Sequence, residues 1–236
     1  VYKRQRLDDL AGQGNVLGEL GAIAERQGDM GKAAEYLDRA LELFEKVPDD
    51  LHGRSFAAAA RGVINHLDND LAGARQFYES ALATGSQSGD TDSIASAMVN
   101  LGEVAEAEGD YNQAYEHYTR SLALFARRGK KVAIAYCAEI IAGLSVKHRA
   151  KPSEAALFFG FADALRKEIE SPIEPFNAER LQADIDATES AMTPETFLAS
   201  WSAGTSLDID EFLVLIKDLE LSDDAGPAPQ VAVHTG

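Results

Sequence analysis

The amino-acid sequence predicts an all-α protein, a solenoid of helical hairpins with capping helices at its C-terminal end. Three observations carry this. Ala33, Ala74, Ala114 and Ala155 recur at spacings of 41, 40 and 41, and Gly21, Gly62, Gly102 and Gly143 keep the same spacings, each 12 residues ahead of its alanine. Apolar residues inside each unit follow the helical period, and no strand-like alternation is visible. With 236 residues, 45% hydrophobic and 26% charged, the chain has material for one large domain or a stack of repeats with a substantial core.

The elements follow in order. The chain opens on Val1 rather than methionine, and "VYKRQ" resembles a translated sequencing-adapter scar, so residues 1–5 are set aside and the chain is expected to be a piece of something longer. A first helix pair is expected near 8–46, where Met30, Ala33, Leu37, Ala40, Leu41 and Phe44 form one stripe. A second is expected near 50–84, weakened by Arg61 and Asn65 at positions that are apolar elsewhere. The third, near 90–128, contains "EGDYNQAYEHYTRSLALF", a near copy of "QGDMGKAAEYLDRALELF" in the first. Its stripe of Tyr111, Ala114, Tyr115, Tyr118, Leu122 and Phe125 makes the tyrosines core residues and leaves His117 toward solvent. The fourth, near 131–170, keeps Gly143, Ala155 and Phe159. Longer turns such as "KVPDDLHG" and "TGSQSGDTD" account for the long period.

Glycine inside a helix costs about 1 kcal/mol relative to alanine, so four at matched positions need a packing reason. The simplest is that two antiparallel helices cross closely where Gly21, Gly62, Gly102 and Gly143 face Ala33, Ala74, Ala114 and Ala155.

These residues resemble the tetratricopeptide repeat, whose pattern runs W-x2-L-G-x2-Y…A-x3-F. The first repeat has Leu17, Leu20, Gly21 and Ala24, then Ala33 and Leu37; the third has Met98, Leu101, Gly102 and Ala105, then Ala114 and Tyr118. The second keeps Gly62, Ala74 and Tyr78, and the fourth has Ala142 before its glycine. The trailing proline is missing throughout, and the period exceeds the usual length of about 34. The resemblance covers roughly residues 10–170, and it implies four such repeats over 6–170 with a curved stack whose first helices line a concave face.

After residue 170 the period stops. Residues 171–221 are expected to form capping helices: "ESPIEPF" interrupts the helix, "NAERLQADIDATES" is amphipathic, Thr193 and Pro194 open a helix, and Asp208 caps a last one bearing Phe212, Leu213, Leu215, Ile216 and Leu219. Residues 222–236 have no periodicity and are expected to be disordered. Gly160, Ala162, Ala164, Leu165 and Arg166, the proline-marked break, and Phe197, Trp201 and Gly204 resemble the C-terminal end of helical-repeat sensor regions in large bacterial regulators. These are LuxR-type regulators, multidomain signalling ATPases and cyclase-headed relatives. The resemblance implies a sensing segment whose ATPase, cyclase and DNA-binding parts are not in this chain.

The remaining features favour interaction over chemistry. Net charge is −17, with only two short basic clusters, Lys3-Arg4-Gln5-Arg6 and Arg127-Arg128-Gly129-Lys130-Lys131. A nucleic-acid partner needs a basic face, so no direct nucleic-acid contact is expected. The absence of a long apolar run or secretory leader, and the single Cys137, point to a cytoplasmic protein with no membrane partner. "DNDLAGARQFYE" imitates a calcium loop, but Ala72 stands at the fifth position and a helix there cannot wrap Glu79 onto Asp68. "GQGNVLG" follows no strand, as a phosphate loop would. Cys137 lies in an apolar helix, the histidines show no metal-binding pairing, and no catalytic triad order is present. No enzyme, metal or cofactor is expected in this segment.

The concave face remains. The repeat frame makes Asn15, Glu19, His66, Asn100, Glu103, Glu106, Lys147 and His148 its polar lining. Chaperone-binding members of the family use a carboxylate clamp of Lys, Arg and Asn; only Asn100 matches here, beside Glu103 and Glu106. A basic or amphipathic protein or peptide, or a small effector, is the expected partner, with intramolecular contact to upstream regulatory domains as a further expectation. A free-standing scaffold or adaptor is the alternative.

Overall fold

The computed structural model describes the backbone of residues 2–173 and 175–224 and the side chains of 9–173 and 177–219. It is all-α, with no strand among these residues. Four antiparallel hairpins follow one another: α1 (Tyr2–Arg26) with α2 (Met30–Lys46), α3 (Leu51–Leu67) with α4 (Leu71–Ser88), α5 (Thr91–Glu108) with α6 (Tyr111–Arg127), and α7 (Lys131–His148) with α8 (Pro152–Glu168). Then come α9 (Pro175–Ser190), α10 (Pro194–Thr205) and α11 (Ile209–Asp224).

Each helix start has a local cause. Asp29, Asp50, Asp70, Asp90 and Asp110 stand about twenty residues apart, and each accepts a hydrogen bond from a backbone N–H three residues on: Lys32, Gly53, Gly73, Ser93 and Gln113. An aspartate at this position satisfies an otherwise unpaired N–H and interacts favourably with the helix dipole. The ladder breaks at Lys130 and Lys151, which occupy the same position before α7 and α8 and supply no side-chain cap. Thr193 caps α10 through the Thr196 N–H. Asp208 and Glu211 form a reciprocal capping box at α11, with bonds of 2.8 and 3.0 Å.

Some boundaries differ from the sequence expectation. α1 begins at Tyr2 rather than near residue 8. α4 continues to Ser88, so "TGSQSGDTD" is mostly helix. Ser86 and Ser88 hydroxyls donate to the carbonyls of Leu82 and Gly85 at 2.7 and 2.9 Å, and the reversal needs only Gly89, at φ 70°, followed by Asp90. The expected disordered tail starts at 222, but α11 extends to Asp224; residues 225–236 and Val1 lie outside the described residues.

Packing inside the hairpins corrects the expected Gly–Ala crossing. The four alanines are indeed fully buried. Yet the glycines meet the side chain one turn beyond the alanine. A Cβ on Gly21 would lie 2.6 Å from Leu37 Cγ, on Gly62 2.5 Å from Tyr78 Cε1, and on Gly102 2.6 Å from Tyr118 Cδ1. Each missing Cβ therefore makes a seat for a large side chain from the second helix. Gly143 breaks the series: its Cβ position faces Asp184 Oδ2 in α9, at 2.6 Å, rather than Phe159. His117 also departs from expectation. It is half-buried, and burial pushes its pKa down.

The C-terminal helices pack around the last hairpin. α9 lies against α7, and α10 lies against α8 with almost no gap. There Gly160 faces the Trp201 backbone and Gly204 faces the Leu157 backbone; a Cβ on Gly204 would sit 2.8 Å from the Leu157 carbonyl carbon. α11 inserts Phe212, fully buried, between Phe161 (stacked, 3.9 Å) and Phe158 (edge-on, 5.0 Å). No described helix is long and apolar enough to cross a membrane.

Candidate binding groove

Along the stack, first helices pack on first helices: α1 meets α3, α3 meets α5, and α7 meets α9. The second helices have no comparable contacts, so the first helices line the inner side. The repeat register then sorts the inner-face residues into columns. Four residues after the seat glycine stand Glu25, His66, Glu106 and Lys147, and α9 adds Asp184 beside the last of them. The column thus places the Glu25 and Glu106 carboxylates either side of the His66 imidazole, with the Lys147 ammonium next to Glu106. Lys147 Nζ lies 3.7 Å from Glu106 Oε1 and 3.3 Å from Asp184 Oδ2, and His148 Nε2 lies 3.7 Å from the same Glu106 oxygen.

One turn inward the environment is drier. Glu103 accepts a hydrogen bond from the Tyr136 hydroxyl at 2.8 Å, and Glu106 accepts one from the Tyr118 hydroxyl at 3.0 Å. Tyr118 is thus a core ring, seated over Gly102, whose buried hydroxyl holds Glu106 from beneath the inner face. Burial raises the pKa of Glu103, partly offset by the Tyr136 hydrogen bond and by His66 and Arg180. Burial also raises Glu25, and Tyr78, Tyr118 and Tyr136 are all pushed up by burial and by these carboxylates. A carboxylate in such a place binds a cation more favourably than one in water, because the attraction is less screened.

The eight groove residues expected from sequence divide into two sets. His66, Glu103, Glu106, Lys147 and His148 come together, with His148 stacked on Tyr111 at 3.9 Å. Asn15 instead lies toward the other end of the first helices, where its amide donates to Asp50 Oδ2 at 3.2 Å. Glu19 is exposed and Asn100 half-buried. Glu25, Tyr136, Arg180 and Asp184 were not expected there. The repeat register carried Glu25, since it stands 41 residues before His66. Nothing local in the sequence placed α9 over α7, so Arg180 and Asp184 had no such signal.

A second concavity of about 420 Å³ lies between α8, α9 and α10. Phe159, Leu181, Ile185 and Trp201 wall it, and the Arg166–Glu139 ion pair forms part of its lining. Cys137 is fully buried and its thiol is pushed up to about 12 by burial, so it is a packing residue. Among the described residues no group of His, Cys, Asp and Glu is arranged to hold a metal ion.

Comparison with known proteins agrees with this architecture. Tetratricopeptide-repeat models match residues 12–85 and residues 97–131. Among solved structures, the chain is similar to BtubC (BKLC) from P. vanneervenii, at 15% identity and a TM-score of 0.55, over 98% of this chain and 96% of that one. It is also similar to a Podosopora anserina protein of the kinesin-light-chain type with nearly identical TPR-like repeats. There the identity is 14% and the TM-score 0.56, over 88% of this chain and 95% of that one. At such identity the likeness is one of fold. No curated protein sequence matches. The matched stretches are tetratricopeptide repeats, and repeats of this kind make a protein-interaction module.

Proposed function

We propose that this chain is a non-catalytic sensing segment of a larger bacterial signalling or transcription regulator, and that its inner face binds a basic or amphipathic protein segment. The observation that carries the binding reading is the partly buried carboxylate set Glu25, Glu103 and Glu106 on the inner face. Lys147 and His148 lie against Glu106 at the α7 end, Arg180 and His66 lie near Glu103, and Arg26 lies near Glu25. A net charge of −17 adds a long-range attraction for cations and repels phosphates. The regulator reading rests on the resemblance of the C-terminal segment from Gly160 to Gly204. It leaves a free-standing adaptor as the alternative, which the parent reading frame decides: an ATPase phosphate loop or cyclase domain upstream supports the regulator.

The binding test is a titration of a fluorescent, lysine-rich amphipathic peptide at low and physiological salt, with labelled duplex DNA as the second arm. Saturable peptide binding that weakens with salt, and is lost in Glu25→Gln/Glu106→Gln, is the expected result. Submicromolar duplex binding at physiological salt overturns the reading. A small effector is a second reading, favoured by the cavity beneath α10. Trp201 is the only tryptophan and lines that cavity, so a bound ligand changes its emission.

A further inference from the structure

The outer face of α1 carries Val16, Leu20 and Ile23, which are 60%, 39% and 40% exposed. Isolated exposed apolar residues need no explanation. These three are one helical stripe, and α1 packs chiefly on α2 and α3, which leave the stripe exposed among the described residues. Advancing it by the repeat spacing gives Ala57, Arg61 and Ile64 in α3, Ala97, Leu101 and Val104 in α5, and Ala138, Ala142 and Ser145 in α7. Every one of these is buried at 3% or less, apart from Arg61, which reaches across to Asp38 of the preceding α2 at 2.8 Å. For α3 and α5 the cover is the hairpin before them: Ala57 and Ile64 share a core with Leu37 and Ala40, and Leu101 and Val104 share one with Ala74 and Tyr78.

We infer that the α1 stripe is the next member of this series of interfaces, and that its occupant is the second helix of a further hairpin of the same repeat, joined to α1 in one polypeptide. The required helix is specified by the three that fill this role. It carries a small residue, a large one four positions on, and a small one three beyond, as in Ala33-Leu37-Ala40, Ala74-Tyr78-Ala81 and Ala114-Tyr118-Ser121. A second copy of this chain offers no such face, because α2, α4 and α6 are covered by α3, α5 and α7, and α8 by α10. The join is marked independently. Asp9 stands 20 residues before Asp29 and 41 before Asp50, in register with the N-cap ladder, and Asp8-Asp9-Leu10-Ala11-Gly12 repeats Asp49-Asp50-Leu51-His52-Gly53. In this structure α1 runs straight through that register position, and the Gln13 amide donates to Asp9 Oδ2 at 3.0 Å. With a hairpin in front, Asp9 is the N-cap of α1, as Asp50 and Asp90 are for α3 and α5. The inference concerns the end of the stack and stands apart from what the groove binds.

The α4–α5 interface is the nearest template, since Leu101 and Val104 correspond to Leu20 and Ile23. The experiment fuses a copy of residues 50–90 directly to residue 10 of the chain, so that the copied Asp90 takes the place of Asp9. Val16→Cys is introduced in the fused and unfused chains; Cys137 is fully buried and stays silent. The expected result is a melting temperature several degrees higher in the fused chain and thiol labelling slowed by about tenfold or more, as local opening becomes necessary for reaction. In addition, Leu20→Lys lowers the melting temperature of the fused chain and leaves that of the unfused chain unchanged. Equal labelling rates in the two chains, or an equal effect of Leu20→Lys in both, overturns the inference.

Discussion

Replacing Gly102 with alanine tests the ring-seat packing where two effects of opposite sign compete. Helix propensity alone makes the change stabilising by about 1 kcal/mol. Geometry opposes it. The new Cβ would lie 2.6 Å from Tyr118 Cδ1, whereas ordinary contact begins near 3.4 Å, so the ring must retreat by most of an ångström. Tyr118 is fully buried, so its ring can retreat only by displacing its neighbours in the core. Its hydroxyl also holds Glu106 Oε2 at 3.0 Å, and that bond is lengthened or lost when the ring moves. Overpacking costs roughly 1–3 kcal/mol, and a hydrogen bond to a charged group contributes roughly 1.5–3 kcal/mol when fully made. Partial loss of the second leaves a net destabilisation of about 1–3 kcal/mol after the propensity gain. For a chain of this length that lowers the melting temperature by about 3–10 °C. The control is Gly12→Ala, in the same kind of helix, where nothing lies within 4 Å of the added Cβ and the glycine is exposed. It should be neutral or up to about 1 kcal/mol stabilising. Thermal denaturation followed by circular dichroism compares all three proteins. A Gly102→Ala protein that melts at or above the parent temperature refutes the argument.

Other expectations follow from the same contacts. Gly160→Ala sets a side chain against the Trp201 backbone, which cannot swing aside as a ring can, so the cost should reach about 3 kcal/mol; its denaturation midpoint and Trp201 emission should both shift. Asp110→Ala removes the cap on the Gln113 N–H and should cost about 1 kcal/mol, while Lys130→Asp, which restores the ladder before α7, should stabilise by a similar amount; urea midpoints check both signs. Glu103 has a folded pKa above its unfolded value of 4.5, so the fold binds its proton more tightly and stability falls as pH rises through the folded pKa. Glu103→Gln, which still accepts from Tyr136, should therefore raise the neutral-pH midpoint and remove the gain that the parent shows on acidification toward 4.5. Equal pH profiles for parent and variant contradict that assignment.

The amino-acid sequence alone carries the all-helical solenoid, because matched glycines, alanines and helical apolar stripes are one-dimensional signals that recur about every forty residues. It also marked where helices start: Thr193 and Asp208 were legible as caps because capping is a short-range interaction between residues three apart. Part of the groove was legible for the same reason, since His66, Glu106 and Lys147 share one register position. What the glycines face was not legible. Glycine announces that something comes close, and only the crossing of two helices decided that Tyr118 rather than Ala114 fills the space over Gly102. The cap was equally a tertiary matter. Gly160 and Gly204 lie 44 residues apart, and nothing periodic links them. Their meeting depends on α10 approaching α8 at backbone contact, which in turn leaves α9 against α7 with Asp184 beside Lys147. The repeat register thus set the charges along the inner face, and the aperiodic helices decided where that face ends.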